Sequence, residues 1–267
     1  MPRLDRSFHA EGVVLRHNDW GEADRILVVY SREMGKLRVI AKGVRKIRSR
    51  KAGHLEPFTR VHLYLARGRD FPIVTQAETV EAYQAIREDL LRTGYAAYVV
   101  ELLDRFTYEE GSTPLLYSLL TDTLARLARE PEPWLVVRYA EIQMLDLVGY
   151  RPELFHCVNC QREIKAEAQF FSNLAGGILC PTCGAGQLAA RPVSMLALKF
   201  MRHFQRSNYL EASRARIAPP VMLEMETLLN SYITFLLERN LNTPAFLREV
   251  RHPYGQAEEQ AEGGDGG

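Results

Sequence analysis

The chain has 267 residues, 46% of them hydrophobic and 25% charged, with only four cysteines. That is an ordinary globular composition, which excludes wholesale disorder, a collagen-like repeat and a disulfide scaffold. The net charge of +1 hides a division, because residues 1–80 carry 16 Lys+Arg against 9 Asp+Glu while the rest carries 18 against 24; a basic first third predicts a polyanion partner for that part and another role for the remainder.

A chain of this length predicts two domains, since single cores stop growing not far above it. The first 80 residues read as strands. Segments 8–17, 24–33, 35–44, 58–66 and 71–80 are short, rich in β-branched residues and partly alternating, and most are separated by Gly, Asn or Asp clusters. Along 35–42, Leu37, Val39 and Ala41 fall on one face, with Lys36, Arg38, Ile40 and Lys42 on the other, so that the back of this strand is basic. Five short strands in so few residues suit the five-stranded oligonucleotide-binding (OB) barrel.

From residue 81 the apolar period becomes helical, over 81–92, 94–109, 114–130 and 133–148, then over 193–206 and 219–240, with a short pattern at 243–250. Gly149 followed by Pro152 predicts a left-handed cap and a stop. The fold class is therefore α+β and multidomain: an N-terminal OB barrel over 1–80 and a mainly helical domain over 81–250, the latter holding a cysteine module at 155–186. Residues 251–267 form an acidic, glycine-rich tail with too little apolar surface to fold.

The longest uninterrupted apolar run, Tyr95 to Val100, is far short of the roughly 20 residues of a membrane span, and the N-terminus MPRLDRSFHAEG has no apolar core of a secretory signal. A cytoplasmic protein is expected, whose cysteines are reduced thiols or metal ligands. All four cysteines form one pattern, Cys157-Val-Asn-Cys160 and Cys180-Pro-Thr-Cys183. Two residues between thiols let a turn aim both sulfurs at one tetrahedral cation, which predicts a structural Zn²⁺ site rather than a redox pair. Four thiolates leave no open position for water, so this metal would staple a loop and take no part in chemistry. Gly184 after the second pair is expected to adopt the left-handed conformation such turns use, and Gln161 after the first to adopt it less readily. His156 is read as a surface residue.

Between Glu33 and Glu56 there is no acidic residue, while Lys36, Arg38, Lys42, Arg45, Lys46, Arg48, Arg50 and Lys51 supply eight positive charges. Residues 43–54 read as a flexible basic loop continuing a basic strand, a pattern for nucleic-acid phosphates. Single strands also need stacking platforms, for which Trp20, Tyr64 and Phe71 are candidates, each equally open to a place in the barrel core. The common nucleotide-binding and hydrolase motifs are absent, and no enzyme is expected. A rival nuclease reading would need His17, Asp19, Glu22 and Asp24 to bind Mg²⁺; a second rival is a structural RNA-binding zinc protein.

Three stretches carry a resemblance: GEADRILVVYSREMGKLRVIAKGVRKIRSRKAGHLEPFTRVHLYLARGRDFPIVTQAE at 21–78, LDLVGYRPELFHCVNC at 145–160 and FSNLAGGILCPTC at 171–183. Together with the helical spacing between them, they resemble the bacterial recombination mediator and DNA repair family RecO up to about residue 250. The resemblance implies an OB barrel, a helical domain and zinc on the four cysteines. It also implies binding of single- and double-stranded DNA, annealing of complementary strands, and cooperation with RecR, sometimes with RecF, to load RecA onto strands coated by single-stranded DNA-binding protein (SSB). The family's basic barrel surface falls on Lys36, Arg38, Lys42, Arg45, Lys46, Arg48 and Arg50, and Gln161 stands where many members have Gly. The helical domain would receive the acidic tail of SSB in an apolar groove with arginines, for which Arg126, Arg129, Arg138 and Arg202 are available.

Overall fold

The computed structural model describes residues 7–109, 111, 113–238 and 241–251; the tail from Gly255 to Gly267 lies outside them. Five strands, β1 (Ser7–Trp20), β2 (Asp24–Ser31), β3 (Gly35–Ala41), β4 (Arg60–Ala66) and β5 (Ile73–Glu81), close into a barrel in the order β1-β2-β3-β5-β4. All ladders are antiparallel except the last, where Ile40 opposite Ile73 joins β3 to β5 in parallel. The expected five-stranded barrel is present.

The period of two along β1 and β2 serves two cores. Val14, Leu27 and Val29 point into the barrel, whereas Val13, Leu15, Val28 and Tyr30 point outward and join the core of the helical domain. A strand buried on both faces reads as a continuous apolar run, as in Leu27-Val28-Val29-Tyr30, and loses its alternation.

The chain then turns helical, with a break the periodicity does not reveal. Instead of one helix over 81–92, β5 runs to Glu81, Tyr83 is left-handed (φ 46°), α1 (Gln84–Arg87) is a single turn, and α2 (Leu90–Phe106) starts afresh. Asp89 caps α2, its carboxylate accepting from the Arg92 N–H at 3.0 Å. Helices α3 (Pro114–Arg129) and α4 (Pro133–Leu147) each open on a proline, where the missing N–H costs nothing. Gly149 ends α4 as expected, left-handed at φ 85°, with the Tyr150 N–H donating to Leu145 O at 2.7 Å and the Gly149 N–H to Asp146 O at 3.1 Å.

Helix α4 is the hub. Every residue from Trp134 to Ile142 is buried, including Arg138 and Glu141, because α2, α3 and α6 (Met195–Arg206) all pack on it. Arg138 Nη2 lies 2.8 Å from Glu141 Oε1, and the Tyr98 hydroxyl donates to the same carboxylate. Burial pushes the Glu141 carboxyl up to about 7 against the pull of Arg138. Arg138 is thus a core residue and not an available surface cation.

Strands β6 (Gln169–Ser172), β7 (Gly177–Leu179) and β8 (Ala190–Val193), in the order β7-β6-β8, form the cysteine module with the one-turn α5 (Pro181–Gly184). Its Leu154, Ile164, Phe171 and Ile178 enter the helical core. After α6 come α7 (Tyr209–Ala212), α8 (Pro219–Leu237) and α9 (Thr243–Arg251). Glu101 of α2 caps α9, accepting from the backbone N–H groups of Asn242 and Thr243 at 3.0 Å each. No described helix is long and apolar enough to cross a membrane.

Candidate nucleic-acid interface and metal centre

Residues 43–54 are not the flexible loop that their charge suggests. They form successive turns, with Arg45 N–H donating to Ala23 O at 2.9 Å and Ser49 N–H to Lys46 O at 2.9 Å, and end in a 3₁₀ turn at Ala52–His54. Val44 and Leu55 sit fully inside the barrel core and anchor the segment at both ends.

This anchoring divides the eight candidate cations. Lys36 Nζ donates to Asp104 Oδ1 at 3.0 Å and to Asp104 O at 2.6 Å, and Arg38 Nε pairs with Glu109 at 2.5 Å. The back of β3 is therefore not one solvated basic face: its first half meets α2 and the residues after it. Burial raises the Asp104 carboxyl, but hydrogen bonds from Arg16 and Lys36 outweigh it and hold the group below the usual range. Arg45 Nε pairs with Asp19 at 3.3 Å, and Lys51 donates to Val74 O at 2.8 Å, its ammonium lowered by burial. Lys42, Lys46, Arg48 and Arg50 have no acidic partner among the described residues.

Of these four only Lys42 lines a groove of about 200 Å³, together with Trp20 at the end of β1, Ile26 and Ile40, and with Arg69, Asp70 and Phe71 from the loop joining β4 to β5. Trp20 is 58% exposed and Tyr64 42% exposed, so neither is barrel core; Tyr64 lies outside this groove. Arg69 was not singled out from the sequence; its signal was a cation two residues before Phe71. OB barrels hold oligonucleotides on the face of their strands 2 and 3 with the loops joining strands 1 to 2 and 4 to 5.

The acids of the 17–24 turn have other duties. Asp19 orients Arg25 (3.2 Å) and Arg45, and Asp24 accepts from the Gly43 N–H at 2.7 Å, fixing the start of the basic segment. Among the described residues, the only group of three or more His, Cys, Asp or Glu placed to share a cation is Cys157, Cys160, Cys180 and Cys183, with ligand atoms within 4.8 Å of one another.

The four sulfurs fit zinc. A tetrahedron with Zn–S bonds of about 2.3 Å has edges of about 3.8 Å, and Cys160 Sγ to Cys180 Sγ is 3.8 Å. Each CxxC is a turn closed four residues on, by Gln161 N–H to Cys157 O and Gly184 N–H to Cys180 O, both 2.8 Å. The glycine expectation is reversed. Gln161 takes the left-handed conformation (φ 59°), whereas Gly184 does not; a Cβ there would lie 2.5 Å from the Phe170 ring, so that close packing demands glycine. Arg162 Nε donates to Cys160 Sγ at 3.3 Å and pushes that thiol down to about 6, a neighbour the spacing rule does not reveal. His156 stays half-exposed beside Glu153.

A second groove, about 540 Å³, opens between the cysteine module and α6. Phe155, Ile164 and Leu196 line it with Lys199, Arg202 and Arg206, and the Arg206 guanidinium sits 3.6 Å from the centre of the Phe155 ring. Of the available arginines only Arg202 lies here; Arg126 stacks on Tyr209.

Residues 6–83 match the family described as Recombination protein O N terminal, and residues 87–245 match Recombination protein O C terminal. A DNA repair protein RecO from Roseiflexus sp. (strain RS-1) is 38% identical over 247 residues, 92% of this chain and 87% of the relative. One from Dehalococcoides mccartyi is 35% identical over 232 residues, 87% and 91% of the two chains, and one from Pelotomaculum thermopropionicum is 38% identical over 242 residues, 90% and 93%. With both family halves matched in order across the barrel, the helices and the cysteine module, this chain belongs to the RecO family of DNA repair proteins.

Proposed function

We propose that the protein is a recombination mediator that binds single- and double-stranded DNA, anneals complementary strands and, with RecR, helps to load RecA onto SSB-coated single strands. It acts by binding alone and is not an enzyme. The observation that carries this reading is the groove lined by the exposed Trp20, the half-buried Phe71, Lys42 and Arg69, on a barrel whose Lys46, Arg48 and Arg50 have no acidic partner among the described residues. Aromatic faces stack bases of any sequence, and unpaired cations replace the counterions of a phosphate backbone. Annealing requires both, because like-charged strands repel until that screening is supplied.

Zn²⁺ on Cys157, Cys160, Cys180 and Cys183 is structural. It ties the two knuckles together and so fixes Phe155 and Ile164 in the wall of the second groove. That groove, lined by Phe155, Ile164 and Leu196 and by Lys199, Arg202 and Arg206 against the one carboxylate of Glu163, suits the acidic tail of SSB in a domain otherwise net negative. RecF is a further partner, RecA an indirect one, and the site of action is the cytoplasmic nucleoid. The test is annealing of two complementary oligonucleotides labelled as a fluorescence-transfer pair, with and without SSB, at two salt concentrations. Acceleration that weakens with salt and survives SSB is expected; no acceleration by folded, zinc-loaded protein refutes the reading, and preference for folded RNA would replace it.

A further inference from the structure

The geometry points to a second nucleic-acid site, in the cleft between the barrel and α2, which takes the backbone of the incoming strand while the first is held at the Trp20 groove. This inference rests on the annealing function proposed above. The cleft encloses about 740 Å³ and is faced by Arg16, Lys36 and Arg38 from the barrel and by Arg105 from α2. The carboxylates facing them are Glu101, Asp104 and, at the rim, Glu109.

The way these acids are spent makes the cleft a receptor for phosphate. Asp104 takes Arg16 by Nε, at 2.8 Å, and Glu109 takes Arg38 by Nε, at 2.5 Å. Glu101 is turned to the start of α9 and reaches Arg105 only at 3.6 Å. Arg16 and Arg38 are each about half exposed, and their terminal Nη groups donate no hydrogen bond among the described residues. A guanidinium has five donors in a fixed fork. Held by Nε, it is oriented with its outer edge free, and that edge is what grips a phosphate through two parallel hydrogen bonds. Lys36, largely buried between the domains, pins the two walls together.

An aromatic residue occupies the same wall. Phe58 lines the cleft and is left-handed (φ 68°), a conformation that bulky side chains rarely adopt and that concentrates where a ligand is gripped. Its N–H donates to Val14 O at 2.8 Å, which fixes the turn that presents the ring. The two sites share β3. Arg38 belongs to the cleft and Lys42 to the first groove, four residues or about 13 Å apart along the strand direction.

The experiment compares the Arg16→Gln/Arg38→Gln protein with the Lys46→Gln/Arg48→Gln protein in two assays, anisotropy of one labelled strand and fluorescence-transfer annealing of two. The cleft variant is expected to bind the first strand with wild-type affinity yet anneal more slowly. Its annealing rate should depend less on salt, the log-log slope being shallower by about 1.4 for two single-strand phosphates lost. The tip variant should lose first-strand binding itself. Wild-type annealing with an unchanged slope in the cleft variant, or a loss of first-strand affinity as large as that of the tip variant, overturns the second site and leaves the functional reading standing. A wild-type protein that neither binds nor anneals DNA refutes both. Should Arg16→Gln/Arg38→Gln melt early, Arg105→Gln carries the test, because among the described residues its only ion pair is the long one to Glu101: a slope shallower by about 0.7 supports the site, and wild-type annealing overturns it.

Discussion

The division of the basic segment into spent and unspent cations makes a quantitative prediction about salt. Lys42 and Arg69 in the first groove, and Lys46, Arg48 and Arg50 in the segment that follows β3, lack acidic partners among the described residues. If each replaces one counterion of a single strand, the slope of log affinity against log salt is about −3.5, which is roughly a hundredfold loss of affinity between 50 and 200 mM. The Lys46→Gln/Arg48→Gln variant should flatten the slope to about −2.1 by the same rule. Lys36→Gln should leave it unchanged, because Lys36 already neutralises Asp104, and should instead lower the melting temperature. Fluorescence anisotropy with a labelled 20-mer across a salt series reads all three. A wild-type slope shallower than about −1, or equal flattening by Lys36→Gln, would show that the cations without acidic partners do not set the affinity for the first strand.

Other consequences can be checked on stability. Cys180→Ser should abolish stoichiometric zinc by atomic absorption and lower the melting temperature; a shift under about 2 °C, less than 1 kcal/mol is worth in a chain this long, would argue against a staple. Glu141→Leu strands the buried Arg138 guanidinium and should cost about 3–5 kcal/mol in chemical denaturation, whereas Arg138→Met/Glu141→Leu should recover most of that; a double variant no more stable than the single would contradict the pairing. The same carboxyl sets a pH dependence. Its folded value, about 7, stands above the ordinary 4.5, so its contribution is fully present below about pH 4.5 and is lost as pH rises through about 7, and stability should decline less steeply across that window in the double variant. Gly184→Ala should cost about 1–3 kcal/mol through overpacking on Phe170; an unchanged melting temperature would show that the ring moves aside freely.

Local signals were read well from the sequence. The strand periods, the stop at Gly149 and each CxxC turn depend on residues within a few positions of each other, and they recur in the structure, with the two CxxC pairs brought together. What stayed hidden depends on partners far along the chain. Lys36 and Asp104 are 68 residues apart, so a basic row on β3 could not disclose that α2 neutralises half of it. Helix α4 looked amphipathic although neighbours cover it on every side, because Arg138 and Glu141 bring polarity into the core as a pair. The turns of 43–54 were masked by charge, since the two residues that anchor them, Val44 and Leu55, are lost among cations and glycines. Gly184 shows that a glycine can be required by what lies against it as well as by its φ.

The double-sided burial of β1 and β2 limits how this architecture can be taken apart. Val13, Leu15, Val28 and Tyr30 belong to the helical domain's core although they are carried by the barrel, and each large apolar side chain so buried is worth about 1.5–3 kcal/mol. A barrel severed after residue 82 would present them to water as one sticky plate. Chimaeras that exchange barrels between relatives should therefore survive only when these outward residues travel with their matching helices. The unit of inheritance is the whole chain from the first strand to α9.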